Sequence, residues 1–425
     1  GKENSILGAF AGDNLTQGIN NVAMGTGALG ADTLGHSSVA IGYTALVTQN
    51  FTTATDSFNT AVGHQAGKAV TTGLRNTLIG AQAGDALTTS NNSVAVGYNA
   101  LHANTVSAGN VAVGKDALKA FNVGSGSGNN TAVGTLAGGA LTSGVNNTLM
   151  GSLAGDGLTD ADLNVAIGKG ALGADTLGSQ SVAIGFAALE AQNFTTATNT
   201  FNTAVGSAAG AAVTTGEQNT IVGGLAADAL TTGGLNVAFG LHALGGDTAG
   251  SRSTALGYSA LLTQNFTTAT NVFNTGVGFE AGKSVTTGDQ NTLIGAAAGD
   301  ALTVGNSNVA VGYEALSGDT KGDRNVAIGR AALQAQNFTT TTDAYNVAIG
   351  YGVGENITTG VNNVLIGGLA GDALTDADFN VAIGTQALTT DTLGSRSVAI
   401  GQHALQVQNF TTATNTFNVA VGYDA

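Results

Sequence analysis

The chain has 425 residues, 66 of them Gly, with no Pro, Cys or Trp, and its 12 Lys and Arg against 27 Asp and Glu give a net charge of -15. Without Cys there are no disulfides, thiolate metal sites or cysteine nucleophiles, and the acidic balance argues against a nucleic-acid partner. At 43% hydrophobic and 9% charged the chain is too apolar for disorder and lacks the Pro and the three-residue glycine period of collagen, while no run of about 18 apolar residues suits a membrane span.

From the N-terminus, the first recognisable element is Asn4-Ser5-Ile6-Leu7-Gly8, and the same pentamer pattern returns as NVAMG at Asn21, SVAIG at Ser38 and NTAVG at Asn59. Further sets of four begin at Asn76, Asn147, Asn219, Asn291 and Asn363, making 24 units with Gly at the fifth position of every one. Pentamer starts advance by 17, 17, 21 and 17 along a set, so a 72-residue block repeats six times, with the second block one residue short. Helical repeats of about 33 to 45 residues do not fit this period. A unit of about 17 residues with one short β-branched run and a Thr-Gly turn fits one coil of a parallel β-solenoid, whose apolar face is buried only by stacking on the next coil. The expected fold is therefore all-β: about 24 coils of roughly 17–21 residues forming one continuous repeat region over 1–425.

Alternation along Asn164-Val165-Ala166-Ile167-Gly168 separates Val165 and Ile167 from Ala166. The Val/Ile face is expected to be the coil interior. The opposite face carries Ala in most units, and Ile6, Leu78, Leu149, Ile221, Leu293 and Leu365 in the first unit of each block. A solvated strand face should be polar, so this second face is expected to pack against other copies of the chain. The pentamer Asn should form ladders along the axis, and the invariant Gly should supply a backbone conformation or a close approach that a Cβ forbids. Eight positions after that Gly stands Thr, or Asn in every third unit, a rank expected to fix register.

The extra residues of the third unit form an insert, NFTTATDSF at 50–58 and NFTTATNTF at 193–201. It carries the aromatic pairs Phe51/Phe58, Phe194/Phe201, Phe266/Phe273, Phe338/Tyr345 and Phe410/Phe417, whereas the second block has FNVGSGSGN from Phe121. These rings are candidates either for packing the loop or for recognition, since function tends to sit on excursions from a rigid scaffold. A weaker candidate is the rank Asp13, Asp85, Asp156, Asp228, Asp300 and Asp372, supplemented by Asp160/Asp162 and Asp376/Asp378. Calcium would be its expected cation, against the plainer reading of an Asp bonded to its own turn. The five His occupy non-equivalent positions, and no GxSxG, HExxH or P-loop occurs. No cofactor and no enzymatic activity are expected.

The pentamer NVAIG or SVAIG, followed two residues later by Ala-Leu or Ala-Gly, resembles the head repeats of YadA-like trimeric adhesins, and more closely the NTAIGxxAL…TTG repeats of phage tail fibres. The resemblance covers essentially the whole chain. It implies a left-handed β-roll wound side by side as a homotrimer, exposed outside a cell or on a virion. The function it implies is a non-enzymatic fibre shaft presenting a tip that binds a host-surface glycan or protein. Alternatives are a self-assembling extracellular filament, with rods joined end to end, and an ice-binding solenoid suggested by the Thr rank. Repeats run to both ends of the chain, so a fragment of a longer polypeptide is also expected.

Overall fold

The β-branched runs form strands. In the computed structural model, which describes residues 1–425, each pentamer contributes a three-residue strand, from Ser5–Leu7 to Val419–Val421. No helix forms, and the fold is a parallel β-solenoid of about 25 turns. The chain divides into two compact units, 1–215 and 216–425, each with twelve of these strands.

Within the first unit, successive strands pair in parallel with like positions opposed: Val22 with Val39, Ala23 with Ala40, Met24 with Ile41. The second unit repeats the pattern, as in Val381, Ala382 and Ile383 against Val398, Ala399 and Ile400. Around the rest of each coil, backbone N–H groups donate to carbonyls of a neighbouring coil, such as Leu29 to Ala45 (2.9 Å) and Thr88 to Thr105 (2.7 Å). A narrow tube can thus satisfy its backbone without long strands.

The side-chain ranks lock this register. Asn21 Nδ2 donates to the Gly35 carbonyl (2.9 Å), while its Oδ1 accepts the Ser38 N–H (2.8 Å). Asn147 and Asn164 continue the pattern. The amides therefore bond chiefly to backbone, with side-chain contacts such as Asn147 to Asn130 (3.1 Å) secondary. The Thr rank does likewise: Thr71 donates to the Thr88 carbonyl, and Thr33 to both Asn50 Oδ1 and the Phe51 carbonyl. The invariant Gly answers both demands. Gly80 has φ of 129°, and a Cβ there would lie 2.6 Å from the Gly97 oxygen of the next coil.

The two strand faces are opposite to the sequence expectation. Ala166 is fully buried within its own chain, whereas Val165 and Ile167 are half-buried on the outside. The same correction applies to Leu78, Leu149, Ile221, Leu293 and Leu365, which fill the protomer's own core. Ile6 is 46% exposed, yet its Cδ1 would lie 3.1 Å from a Cβ on Gly12 and so is on the interior side. The cause is the cross-section. Leu side chains such as Leu29 and Leu46 reach in from the opposite wall and are fully buried, leaving room for little more than a methyl at the strand. Even at Gly276, an added Cβ would lie 2.9 Å from Leu261 Cγ.

A large strand residue fits only where that wall is relieved. Leu78 is flanked by Gly84 in its own coil and Gly67 in the preceding one; a Cβ there would lie 2.8 Å from Leu78 Cδ2 and 2.6 Å from Cδ1, respectively. In coils where the opposite wall is Gly, a Leu or Val such as Leu87 or Val70 enters three positions later. A small residue on one wall is thus matched by a large one nearby, as dense packing requires.

Candidate functional site: the insert corner and the outer sheet face

The insert is held by a buried polar network. Gln49 Nε2 donates to Asp32 Oδ2 (2.7 Å) and Ser38 Oγ (2.8 Å), while Asn59 Nδ2 donates to Gln49 Oε1 (2.9 Å). The other oxygen of Asp32 accepts the Gly35 and Phe51 N–H groups (3.0 and 3.3 Å), joining the second coil to the start of the insert. The arrangement recurs at Asp175/Gln192, Asp247/Gln264, Asp319/Gln336 and Asp391/Gln408. Asp32, Asp175, Asp247, Asp319 and Asp391 are all fully buried. Burial pushes the Asp319 carboxyl above its ordinary range, opposed by the hydrogen bonds from Gln336, Gly322, Phe338 and Lys321. Sequence reading missed this network. Its signal was an Asp followed one coil period later by a Gln, as Asp32 is by Gln49, in five of the six blocks.

The two rings of each aromatic pair differ in burial. Phe51, Phe194 and Phe338 are buried and Phe266 and Phe410 half-buried, so the first ring packs the loop. The second rings, Phe58, Phe201, Phe273, Tyr345 and Phe417, are all exposed. They stand at φ between 49° and 56°, a left-handed conformation that bulky residues rarely adopt. In the second unit an Arg covers some of them: Arg252 lies 5.9 Å from the Phe273 ring, Arg324 5.5 Å from Tyr345, and Arg396 6.0 Å from Phe417. Between the two rings of an insert, a short strand pairs with the preceding coil, as Thr55–Asp56 does with Gly35–His36.

The Asp rank is not gathered into a metal centre; no group of three or more His, Asp or Glu side chains is placed to share an ion. Asp13 is exposed. Asp85 pairs with His102 Nδ1 (2.6 Å), and Asp372 accepts from Thr389. Burial raises the carboxyls of Asp156, Asp228 and Asp300; Asp228 is eased by nearby His242, whereas Glu280 and Glu314 push Asp300 further. Asp160 and Asp162 accept from Ser143 Oγ and the Val145 N–H, and Asp376 and Asp378 from Thr359 Oγ1 and the Val361 N–H. These carboxylates bond the coil before them. The remaining His also have local roles: His36 accepts the Ile19 N–H, His64 stacks on Tyr43 at 5.2 Å, and His403 bonds Asp424 and Gln386.

The other exposed feature is the outer face of the strands. Met24, Ile79, Met150, Phe239, Leu256 and Ile294 are each more than a third exposed there. The residue after the invariant Gly adds exposed rings at Tyr43, Tyr98, Phe186, Tyr258, Phe279, Tyr313 and Tyr351. Several stack along the axis, as Tyr258 does on Phe279 (5.3 Å), and Arg330 lies between Tyr313 and Tyr351 (5.9 and 5.4 Å). Apolar side chains thus continue over successive coils on this face, and large contiguous apolar patches on proteins often serve as interaction surfaces.

Neither a protein-family model nor a curated protein matches the chain. No helix is long and apolar enough to cross a membrane.

Proposed function

We propose that the chain is a non-enzymatic structural shaft of an extracellular fibre, of the phage tail-fibre or surface-adhesin kind, in which three copies associate side by side. The shaft would hold a binding tip away from its base. The observation that carries this reading is the outer strand face. Each unit buries its own core without help, yet leaves Val, Ile and aromatic side chains in registered rows half-uncovered. Backbone ladders and Asn and Thr ranks supply the stiffness that a shaft needs, and the resemblance of the repeats to trimeric fibres supplies the number three. Burying such rows against identical rows stabilises association at roughly 25 cal/mol per Å² of apolar area, before the entropy of association is subtracted.

Light scattering on the purified chain tests it. The expected particle is three times 41.4 kDa. The double variant Ile167→Lys/Ile184→Lys, at half-buried outer positions, should dissociate while keeping its β circular dichroism. A wild-type particle with the mass of a single chain at all concentrations overturns the reading.

A further inference from the structure

The insert opens with the same tripeptide in five blocks: Asn50-Phe51-Thr52, Asn193-Phe194-Thr195, Asn265-Phe266-Thr267, Asn337-Phe338-Thr339 and Asn409-Phe410-Thr411. Asn-x-Thr is the acceptor sequence for N-linked sugars, but in a chain this rich in Asn and Thr the triplet alone carries little weight. The structure adds a selective feature. All five Asn and all five Thr are exposed. Each Asn uses its carboxamide oxygen to accept from a Thr of the preceding coil: Thr33 to Asn50 (3.0 Å), Thr176 to Asn193 (3.1 Å), Thr248 to Asn265 (3.0 Å), Thr320 to Asn337 (2.9 Å) and Thr392 to Asn409 (3.4 Å). The same Thr hydroxyl also donates to the carbonyl of the following Phe, so the Asn oxygen is held by a shared hydrogen bond, while its Nδ2 donates to no protein group. The five Thr hydroxyls are likewise without protein partners.

Other Asn-x-Thr triplets provide the contrast. Asn14 Nδ2 donates to the Gly30 carbonyl and Asn356 Nδ2 to the Asp372 carbonyl (2.8 Å), so both nitrogens already serve the fold. In Asn129-Asn130-Thr131 and Asn146-Asn147-Thr148 the Thr is half-buried within a paired strand. The second block lacks the insert triplet, with Asn122-Val123-Gly124 at the equivalent place.

We propose that Asn50, Asn193, Asn265, Asn337 and Asn409 are N-glycosylation sites, taking a hexose from a nucleoside-diphosphate sugar. In the step, Nδ2 forms a bond to the anomeric carbon and loses one proton, while the bond from that carbon to the diphosphate oxygen breaks and the nucleoside diphosphate leaves with the electron pair. The oxygen that holds the register is untouched, so the sugar is added without a cost to the coil-to-coil ladder. A bulky polar group at five corners would also screen the exposed second ring of each insert from contact with other molecules. The inference stands whether or not the chains associate into trimers.

The test is incubation of the folded chain with a soluble N-glycosyltransferase of Asn-x-Thr specificity and UDP-glucose, followed by peptide mapping. Hexose is expected on the five insert Asn and absent from Asn14 and Asn356 until the chain is denatured. Thr52→Ala should abolish addition at Asn50 alone, leaving the thermal midpoint within a degree or so because the side chain is exposed. Two results overturn the proposal: no hexose on any insert Asn of the folded chain, or labelling of Asn14 and Asn356 to the same extent as the inserts.

Discussion

The third coil of the first block and that of the second solve one packing problem in two ways. In the first block the lumen holds Asp32, Gln49, Ser38 and Asn59, all fully buried and mutually hydrogen-bonded. In the second, Asn104 stands for Asp32 and Phe121 for Gln49, and the Phe121 ring is also fully buried. Asn104 turns to its own loop, donating to the Ser107 carbonyl (2.8 Å) and accepting its N–H (3.1 Å). Room for the ring comes from Gly128, where a Cβ would lie 2.5 Å from Phe121 Cζ. The insert changes with the core: the first block pairs Thr55–Asp56 with Gly35–His36, whereas the second keeps only the bridge from Ala108 to Ser127. A polar lumen thus holds an ordered loop by bonding the backbone N–H of its first ring residue, Phe51, and an apolar lumen dispenses with that tether.

The comparison can be broken most severely on its apolar side. Phe121→Ala should destabilise the chain by about 3–5 kcal/mol, the usual range for emptying a buried aromatic site, read as a fall in the urea midpoint. On the polar side, Asp32→Ala leaves Gln49 Nε2 with Ser38 Oγ alone and deprives two buried backbone N–H groups of their acceptor, with an expected cost of about 3 kcal/mol. Asp32→Asn combined with Gln49→Phe should recover part of that loss, as apolar replacement of buried polar groups often does; no recovery would mean that the second block depends on Gly128 as much as on the ring.

A smaller effect comes from pH. Asp156, Asp228, Asp300, Asp319 and Asp323 all have carboxyls raised, chiefly by burial, above the ordinary 3.8. The folded chain therefore holds these protons more tightly than the unfolded chain. Their contribution opposes folding at neutral pH and is relieved as pH falls through the raised values towards 3.8. The urea midpoint should rise modestly on acidification within that window; a steady fall from neutrality would contradict the assigned direction.

That the invariant Gly meets both demands, and that the Asn amides bond chiefly to backbone, emerged only in the folded chain. The coil period, the parallel stacking and the positions of the Gly and of the Asn and Thr ranks were legible in the sequence because each repeats at the stacking period. The inward face was not. Alternation distinguishes Ala166 from Val165 and Ile167, but both sets are apolar, and the choice between them is made by Leu172 and its counterparts entering from the opposite wall. Hydropathy along one strand contains no information about that distance. The Asp32–Gln49 pair escaped for the same reason: its members are remote along the chain and adjacent only once the coils are stacked. Nor could the sequence assign separate fates to Phe51 and Phe58, whose environments differ through the left-handed turn at Phe58.

Coil length varies between blocks only at the third coil, which runs from Ser38 to Asn59 in the first block and, one residue shorter, from Asn110 to Asn130 in the second. The exposed tip at 52–54 lies between the Asp32 tether and the short strand at Thr55–Asp56. Foreign peptides spliced into that tip would be anchored at both margins without disturbing the lumen. The molecule is thereby a natural scaffold for multivalent display, offering five equivalent grafting points along one polypeptide.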